Sequence, residues 1–219
     1  MSIQIFIGYS SKDEYYAQFT FNCLRNIVEF LPYKAEIFPD YGKVFKERIM
    51  NALDLSEFMV VFLTDNGIQS QWVNQEIGYA HALQRKNRNN KPYIIPISQD
   101  QTKPKGLITK DSNDLLILDK FQDSTGAIDF SLVFANILLY IRNNLPDGLR
   151  EGSLKVRLTC TNCIDKTGFP YEWTLLIPDN QTIYRSVELN QVVTEIPCPQ
   201  CNASNYFDIR TFSHVSVTT

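Results

Sequence analysis

The sequence predicts a doubly wound α/β domain with five parallel strands, followed by a small β-rich domain. Three observations predict this architecture. Apolar runs typical of buried strands alternate with helix-period patterns up to residue 143, a polar stretch with proline and glycine follows, and β-type patterns with paired cysteines occupy the remainder. We expect domains at residues 1–144 and 154–219, joined by a linker at 145–153 that lets them fold independently.

Residues 3–9 form the first predicted strand, because their nearly continuous apolar run suits a parallel strand that helices cover on both faces. Polar residues at 10–13 should cap a helix that extends to about Phe30 and is stopped by Pro32. A short second strand is expected at 35–38. The domain is therefore expected to begin with a strand, a helix and a second strand.

A loop at 39–43 leads into an amphipathic helix, and the last helix of this domain is expected at 131–143. Pro96 has no N–H to donate, so one side of the fourth strand should be open there. The inward side chains of the helix after the loop are Phe45, Ile49, Ala52 and Leu53. The third, fourth and fifth strands are expected at 58–64, 93–97 and 114–119.

A helix that begins after a cap at Ser70 carries an aromatic and a carboxylate four residues apart. Trp72 and Glu76 therefore lie on the same face of this helix, one turn apart. A turn expected at 65–67 joins the third strand to this cap, so the pair lies near the carboxyl edge of the sheet, where doubly wound folds bind ligands. The neighbouring stripe is apolar and should face the core, with Val73, Ile77 and Ala80.

Composition and charge narrow the class of function. A net charge of -3 and a pI near 5.4 argue against nucleic acid or an anionic membrane as the main partner. The first strand is followed by neither a Gly-x-Gly-x-x-Gly nor a Walker-type loop, so the sequence lacks the usual phosphate cradle. The N-terminus has no basic segment or cleavage site, and the longest apolar run, 58–63, is too short to span a bilayer. We expect a cytoplasmic protein with reduced cysteines.

Four of the five cysteines form two Cys-x-x-Cys pairs, Cys160 with Cys163 and Cys198 with Cys201. Four thiolates in two turns suit tetrahedral zinc, and a segment this small needs such a staple. We predict a structural zinc ion in a zinc-ribbon-like domain, with redox dithiols or an iron–sulfur cluster as alternatives. Cys23 is expected to be a small core residue. The strands of this domain are expected at 154–159, 171–177, 182–189 and 205–212.

Three segments occur in a characteristic order: IFIGYSSKD, then ERIMNALDLSEFMVVFLT, then SQWVNQEIGYA. With them the chain resembles the TIR (Toll/interleukin receptor) family, particularly its prokaryotic members, over roughly residues 1–143. The resemblance implies a flavodoxin-like TIR fold and self-association through that domain. The Arg-Asp…Pro-Gly signature of animal signalling members is missing at 39–42, which weakens an animal-style adaptor function.

Prokaryotic members of this family cleave NAD at the nicotinamide–ribose bond, and some close the product into a cyclic ADP-ribose isomer that serves as an immune, anti-phage signal. The resemblance implies that Glu76 is the catalytic carboxylate. The loop at 40–45 would correspond to the mobile BB loop. The substrate-binding residues that the resemblance implies are Trp72, Tyr9, Ser10, Asp40, Tyr41 and Phe45.

The chemistry also follows from the residues. Nicotinamide leaves NAD as a neutral group, so the barrier lies in the cation that develops on the ribose, and a carboxylate facing that cation is the expected tool. Three functions stay open: an NAD glycohydrolase or cyclase, a non-catalytic TIR module that self-associates and recruits a partner through the zinc domain, and a nucleoside or nucleotide N-glycosidase. Each of three site residues also has a structural alternative: Trp72 could be a core aromatic, Glu76 a solvated surface residue and Ser10 a helix cap.

Overall fold

The computed structural model describes residues 2–34, 42–86, 90–100, 115–123, 125–145, 149 and 153–215, without the side chains of 42–45, 161 and 165. Its first part is a five-stranded sheet with the strand order β2-β1-β3-β4-β5, in which every pair is parallel. The predicted α/β fold class is confirmed. The strands are β1 (Ile3–Gly8), β2 (Phe30–Lys34), β3 (Phe58–Leu63), β4 (Tyr93–Ser98) and β5 (Leu116–Ile117).

Helices cover both faces of this sheet. The larger core contains the buried residues of the first and last helices, and a smaller core on the other face contains those of the second and fourth. Their apolar residues recur at helical spacing, which is why each helix can bury one stripe against the sheet. The helices are α1 (Glu14–Arg25), α2 (Gly42–Leu55), α3 (Asp65–Gln69), α4 (Gln71–Lys86) and α5 (Phe130–Asn143).

Strand β1 sends alternate side chains to the two cores, as the pleat of a strand requires. Ile5, Ile7 and Tyr9 face the larger core, beside α1 and α5. Phe6 faces the smaller core, beside α2 and α4. Position 8, two residues further along the strand, lies on the same face as Phe6. The residue at the end of β1 that faces α4 is therefore Gly8.

The prediction that the first helix reaches Phe30 is wrong, because α1 ends at Arg25 and Phe30 already begins β2. Pro32 lies within β2, opposite Ile5. This strand is at the edge of the sheet, where a residue without an N–H is tolerated. The strand expected at 35–38 lies outside the described residues.

Two smaller differences concern the carboxyl edge of the sheet. The expected turn at 65–67 is the short helix α3, whose first turn is capped where the Gly67 N–H donates to the Thr64 hydroxyl at 3.2 Å. Strand β5 is shorter than expected, since a 3₁₀ turn follows it directly at Leu118–Phe121. Strand β4 runs through Pro96, and its described pairing with β5 begins only at the next residue, Ile97.

Over residues 153–215, the second part consists of two antiparallel strand pairs and two helices. Strand β6 (Lys155–Cys160) pairs with β7 (Tyr171–Leu176), and β8 (Val193–Pro197) pairs with β9 (Ser204–Asp208). The helices are α6 (Thr161–Thr167) and α7 (Asn180–Glu188).

A strand at 182–189 was expected where the chain forms α7, so that prediction is wrong. The Asp179 carboxylate accepts from the Thr182 N–H at 2.7 Å, which caps the first turn of the helix. Ile183 on its inner face is buried in the larger core. The helix cap and the burial of the inner face therefore outweigh the strand propensity of the β-branched residues in this segment.

The two parts share one hydrophobic core. Strand β6 pairs with the segment after α1, where the Val28 N–H donates to the Lys155 carbonyl at 2.8 Å and the Arg157 N–H donates to the Asn26 carbonyl at 2.7 Å. Leu154, Val156, Leu158, Ile177 and Phe207 belong to the same buried cluster as α1 and α5. Such an interface favours coupled unfolding over independent folding, while the domain boundaries at 144 and 154 stay a prediction.

An ion-pair bridge adds to this interface. Arg210 contacts Asp208 on β9 at 2.7 Å and also reaches Asp129 at 2.8 Å. Asp129 caps α5 by accepting from the Leu132 N–H at 3.1 Å. The second part is thus tied to the start of a sheet-covering helix. No helix in the described ranges is long and apolar enough to cross a membrane.

Candidate active site and metal centre

A cavity of about 440 Å³ opens between α2 and α4, on the face of the smaller core. The Tyr79 hydroxyl donates to the Asp54 carboxylate at 2.8 Å and joins the two helices at one side of this space. One carboxylate and one ammonium group are among the described side chains around it. The lining residues are Lys46, Ile49, Met50, Leu53, Trp72, Gln75, Glu76, Gly78, Tyr79 and Ala82.

Glu76 lines this cavity from α4 and is only 7% exposed. Its Oε2 atom is buried and has no hydrogen-bond partner among the described residues. Burial raises the pKa of Glu76 to about 8, because the charged form loses water without gaining a compensating donor. A surface role for this carboxylate is thereby excluded, and an unsatisfied buried acid of this kind is typical of a functional site.

Gly8 is the residue against which the carboxylate lies. A Cβ atom at position 8 would come within 2.9 Å of Glu76 Oε2 and within 3.1 Å of Met59 Cε. Real Cβ atoms essentially never show a contact below 3.0 Å. The Glu76 carboxylate therefore occupies the space that any other residue at position 8 would fill.

Trp72 lines the same cavity one turn before Glu76, as the spacing predicts. Its side chain is 40% exposed, so it is not simply a core aromatic. The start of α4 is fixed by Ser70, whose hydroxyl accepts from the Val73 N–H at 3.4 Å. The structure thus brings together the two residues that sequence reasoning paired.

Tyr9 does not line this cavity. Its ring is buried in the larger core, on the opposite face of the sheet from Glu76, with the Lys34 ammonium 5.7 Å from its centroid. Ser10 is buried at the end of β1, where its carbonyl accepts from the Asp13 N–H at 2.7 Å and its hydroxyl makes no capping hydrogen bond. The alternative that its hydroxyl caps the helix is not supported.

The remaining predicted contacts cannot be placed against the cavity. Asp40 and Tyr41 lie outside the described residues. Phe45 belongs to α2, but its side chain is outside the described part of the chain. The loop expected to contact substrate therefore stays a prediction.

Buried polar residues at the carboxyl edge of the sheet hold the scaffold. The Asp13 carboxylate accepts from the Thr64 hydroxyl at 2.6 Å and from the Asn66 amide at 3.1 Å. These bonds tie the segment after β1 to the segment after β3, and so fix α3 and the start of α4 relative to β1. The Asp13 side chain is satisfied by these contacts and supports the site from outside the cavity.

Two residues near Glu76 were missed by the sequence reasoning. The apolar pattern predicts Gly8 only as part of a strand, although a glycine at the end of a buried strand can mark a close approach of another group to the backbone. Tyr33 on β2 stacks on Phe6 with 5.8 Å between ring centroids, on the same face as Glu76. Burial raises the pKa of Tyr33, the Arg48 charge partly opposes this rise, and the Glu76 charge adds to it. The signal for Tyr33 was absent because β2 was placed several residues too late.

The raised pKa of Glu76 predicts a pH-dependent stability. Between the ordinary value of 4.5 and about 8, the folded state keeps a proton that the unfolded chain releases. Stability must therefore fall as pH rises through this window, by about 1.4 kcal/mol per pH unit, and then level off. Urea unfolding at several pH values should show this slope in the wild type and lose it in Glu76→Gln. If the free energy of unfolding of the two proteins changes with pH in the same way, this would contradict the burial of the Glu76 charge.

The four paired cysteines meet in the second part of the chain, with their sulfur atoms all within 4.8 Å of one another. The Cys160 and Cys201 sulfurs are 3.7 Å apart, and those of Cys163 and Cys198 are 3.8 Å apart. A zinc tetrahedron with Zn–S bonds of about 2.3 Å has edges of about 3.8 Å. These separations fit four thiolates around one ion, and they are far longer than a disulfide bond of about 2.05 Å.

Backbone geometry supports this cluster. The Cys198 N–H donates to the Ala203 carbonyl at 2.9 Å, and Asn202 adopts a left-handed φ of 56° that closes the turn. The Ala203 N–H donates to the Cys201 sulfur and, together with the neighbouring thiols, lowers the pKa of Cys201. An N–H directed at a thiolate is the kind of outer contact that metal ligands receive. The donor set therefore fits a structural zinc site.

Comparison with known families matches the chain to the TIR domain over residues 5–130, more than half of its length. The matched segment contains Gly8, Trp72, Glu76 and the strands and helices that position them. No curated protein matches the chain significantly. The parallel sheet, the order of its elements and this family match agree, and the chain belongs to the TIR domain family.

Proposed function

We propose that the protein is an NAD glycohydrolase or cyclase that breaks the nicotinamide–ribose bond and releases nicotinamide with ADP-ribose or a cyclic ADP-ribose isomer. One observation carries the proposal: Glu76 lines a cavity large enough for part of a dinucleotide, and its Oε2 atom is buried without a hydrogen-bond partner in the described part of the chain. The TIR family includes NAD-cleaving enzymes, which makes NAD the first substrate to test.

In this reaction the bond between the ribose C1′ and the nicotinamide nitrogen breaks, and its electron pair leaves with the neutral nicotinamide. The C1′ cation is then captured by a water oxygen or by a nucleophile within the same substrate, and one proton is released when water or a hydroxyl of the substrate forms the new bond. Glu76 would stabilise the cation electrostatically and accept a hydrogen bond from a ribose hydroxyl. The positive nicotinamide ring of bound NAD would favour the ionised carboxylate, offsetting part of the desolvation that raises its pKa.

The charges around the cavity suit a dinucleotide. Lys46 lies in the first half of α2 and lines the cavity together with Glu76. An ammonium group can bind the diphosphate while the carboxylate faces the cationic end of the same molecule. The apolar wall provided by Ile49, Met50 and Leu53 would exclude water from the reacting carbon.

The second part of the chain would hold a structural zinc ion and assist regulation or assembly rather than chemistry. We propose that the protein self-associates through the TIR domain. We also propose a role in anti-phage immune signalling, in which a receptor would bind the cyclic nucleotide product. The zinc would be held by Cys160, Cys163, Cys198 and Cys201 and would supply a fixed junction between the two strand pairs.

The assay that tests the proposal compares NAD with ordinary nucleosides. Purified protein should release nicotinamide from NAD and no free base from adenosine or inosine. Release of free base from the nucleosides would instead favour an N-glycosidase. Cleavage of neither, together with a concentration-dependent oligomer, would favour a non-catalytic module that recruits its partner through the zinc domain.

Trp72 should influence which nucleophile captures the ribosyl cation. Its half-exposed indole lies one turn from Glu76 and can hold the second half of the substrate folded over the reacting carbon. Trp72→Ala is expected to lower the cyclic product relative to linear ADP-ribose, while nicotinamide release falls less. Trp72→Phe should keep part of the cyclic fraction, because stacking survives without the indole N–H. Product ratios from mass spectrometry and NMR check this, and an equal loss of both products would contradict it.

A further inference from the structure

The end of β1 leaves no room for a side chain on the face that carries the site. An added Cβ at position 8 would lie 2.9 Å from Glu76 Oε2, 3.1 Å from Met59 Cε and 3.3 Å from Val61 Cγ2. Gly8 pairs with Val61 in the β1–β3 ladder, so its backbone cannot retreat without breaking the centre of the sheet. The atom that can move most easily is the carboxylate oxygen, which ends a flexible side chain.

From this geometry we infer that Gly8 is a positioning residue, and that its missing side chain sets where the Glu76 carboxylate lies relative to the substrate ribose. The inference rests on the proposed function, because it assigns to Gly8 control over the group that acts on NAD. Gly8 itself would touch neither the reacting carbon nor the leaving nicotinamide. Its role is to let Oε2 settle against the backbone of β1, out of reach of the described hydrogen-bond donors.

The need for glycine here does not come from backbone strain. Position 8 belongs to an extended strand, and it is not among the described residues with positive φ. Gly78 offers a contrast, because it lines the same cavity on α4 and an added Cβ there would meet nothing within 4 Å. The two glycines therefore separate the effect of an added methyl group from the effect of displacing Oε2.

Gly8→Ala tests the inference. Ordinary van der Waals contact begins at 3.4 Å, so the methyl group should push Oε2 away by at least half an ångström, toward the open cavity. We expect kcat for NAD to fall roughly 10- to 100-fold with KM changed much less, since misplacing a catalytic group by about 1 Å costs up to about 100-fold. The midpoint of the plot of kcat/KM against pH should also move to a lower pH than in the wild type, because the displaced carboxylate is better hydrated and its pKa is lower.

A shorter acid should remove the crowding. In Gly8→Ala/Glu76→Asp the methyl group fills the space that the missing methylene leaves, so we expect the double variant to be no slower than Glu76→Asp alone. A double variant slower by the full Gly8→Ala factor would mean that position 8 acts independently of Glu76, and would overturn the inference. If Gly8→Ala does not fold, the comparison between the double variant and Glu76→Asp carries the test.

A readout without NAD separates this inference from the proposed function. In Gly8→Ala the fall in stability should end at a lower pH than in the wild type, because the displaced carboxylate is better hydrated, whereas Gly78→Ala should keep the wild-type end point. An unchanged end point in Gly8→Ala, or an unchanged kcat, would overturn the positioning role. A wild type that releases no nicotinamide while Gly8→Ala shifts this end point would refute the proposed function and leave the control of the carboxylate by Gly8 in place.

Discussion

Glu76→Gln should lower nicotinamide release from NAD by about 10²–10³, the usual loss when one preorganised electrostatic group is removed from an active site. The substitution keeps the size of the side chain and removes its charge, so the ribosyl cation loses its counter-charge while the cavity keeps its shape. NAD should still bind, because Lys46, Trp72 and the apolar wall remain. The expected signature is a lower kcat with a KM that changes little.

The same variant has a built-in control for folding. A neutral amide in the place of a buried carboxylate removes a desolvation cost, so Glu76→Gln should be at least as stable as the wild type at pH 8 and above. Turnover within threefold of the wild type, with an intact melting curve, would move the chemistry to another residue. Loss of activity together with loss of the folded state would leave Glu76 as a packing residue instead.

Loss of zinc should destabilise the whole chain. Apparent binding free energies of structural zinc are about 10–16 kcal/mol at pH 7, and part of this is folding free energy. Cys160 ends β6, the strand that pairs with the segment after α1, so disorder at the metal centre reaches the larger core. If Cys160→Ser costs even 5 kcal/mol, the melting temperature should fall by roughly 10–20 °C.

Calorimetry and metal analysis check this expectation, and Cys23→Ala provides the matched control. Cys23 is a buried thiol of α1 outside the cluster, and burial raises its pKa to about 12, so it stays protonated and apart from the metal. That variant should keep one zinc ion per chain. Wild-type protein without bound metal, or an unchanged transition of the sheet domain in Cys160→Ser, would contradict the coupling between the two parts.

Continuous apolar runs predicted the strands of the parallel sheet, because such strands are buried on both faces, and the helical period of the segments between them predicted the packing of the helices. The helix after Ser70 was predicted with Trp72 and Glu76 on one face, since helical spacing fixes that relation locally. The four-cysteine cluster was also predictable, because two Cys-x-x-Cys pairs have the ligand number and spacing of a structural zinc site. These features depend on short stretches of sequence.

The errors arose where tertiary contacts override local preference. Pro32 looked like a helix stop but lies in a strand, because an edge strand tolerates its missing N–H. Thr182 and Ile183 have strand propensity, yet the Asp179 cap and the surface of the larger core hold them in a helix. The face on which Tyr9 lies could not be chosen until the position of α4 relative to β1 was known.

The approach of Glu76 to Gly8 was equally hidden, because it joins residues 68 positions apart. Neither residue carries a local sign of the other. The shared core between the two parts was also missed, since the Pro/Gly-containing stretch suggested a hinge and gave no hint that β6 returns to pair beside α1. Sequence spacing found the candidate carboxylate, and only the fold showed that it is buried with no hydrogen-bond partner among the residues that the structure describes.

The most direct test of a catalytic Glu76 is a time course of nicotinamide release from NAD, followed by chromatography, with wild type and Glu76→Gln side by side above pH 8. At that pH the wild-type carboxyl is ionised, so its activity is greatest and the contrast with the amide is sharpest. We expect nicotinamide in proportion to the amount of wild-type enzyme, and about 10²–10³ less from the variant. No release by the wild type, or equal release by both proteins, would contradict it.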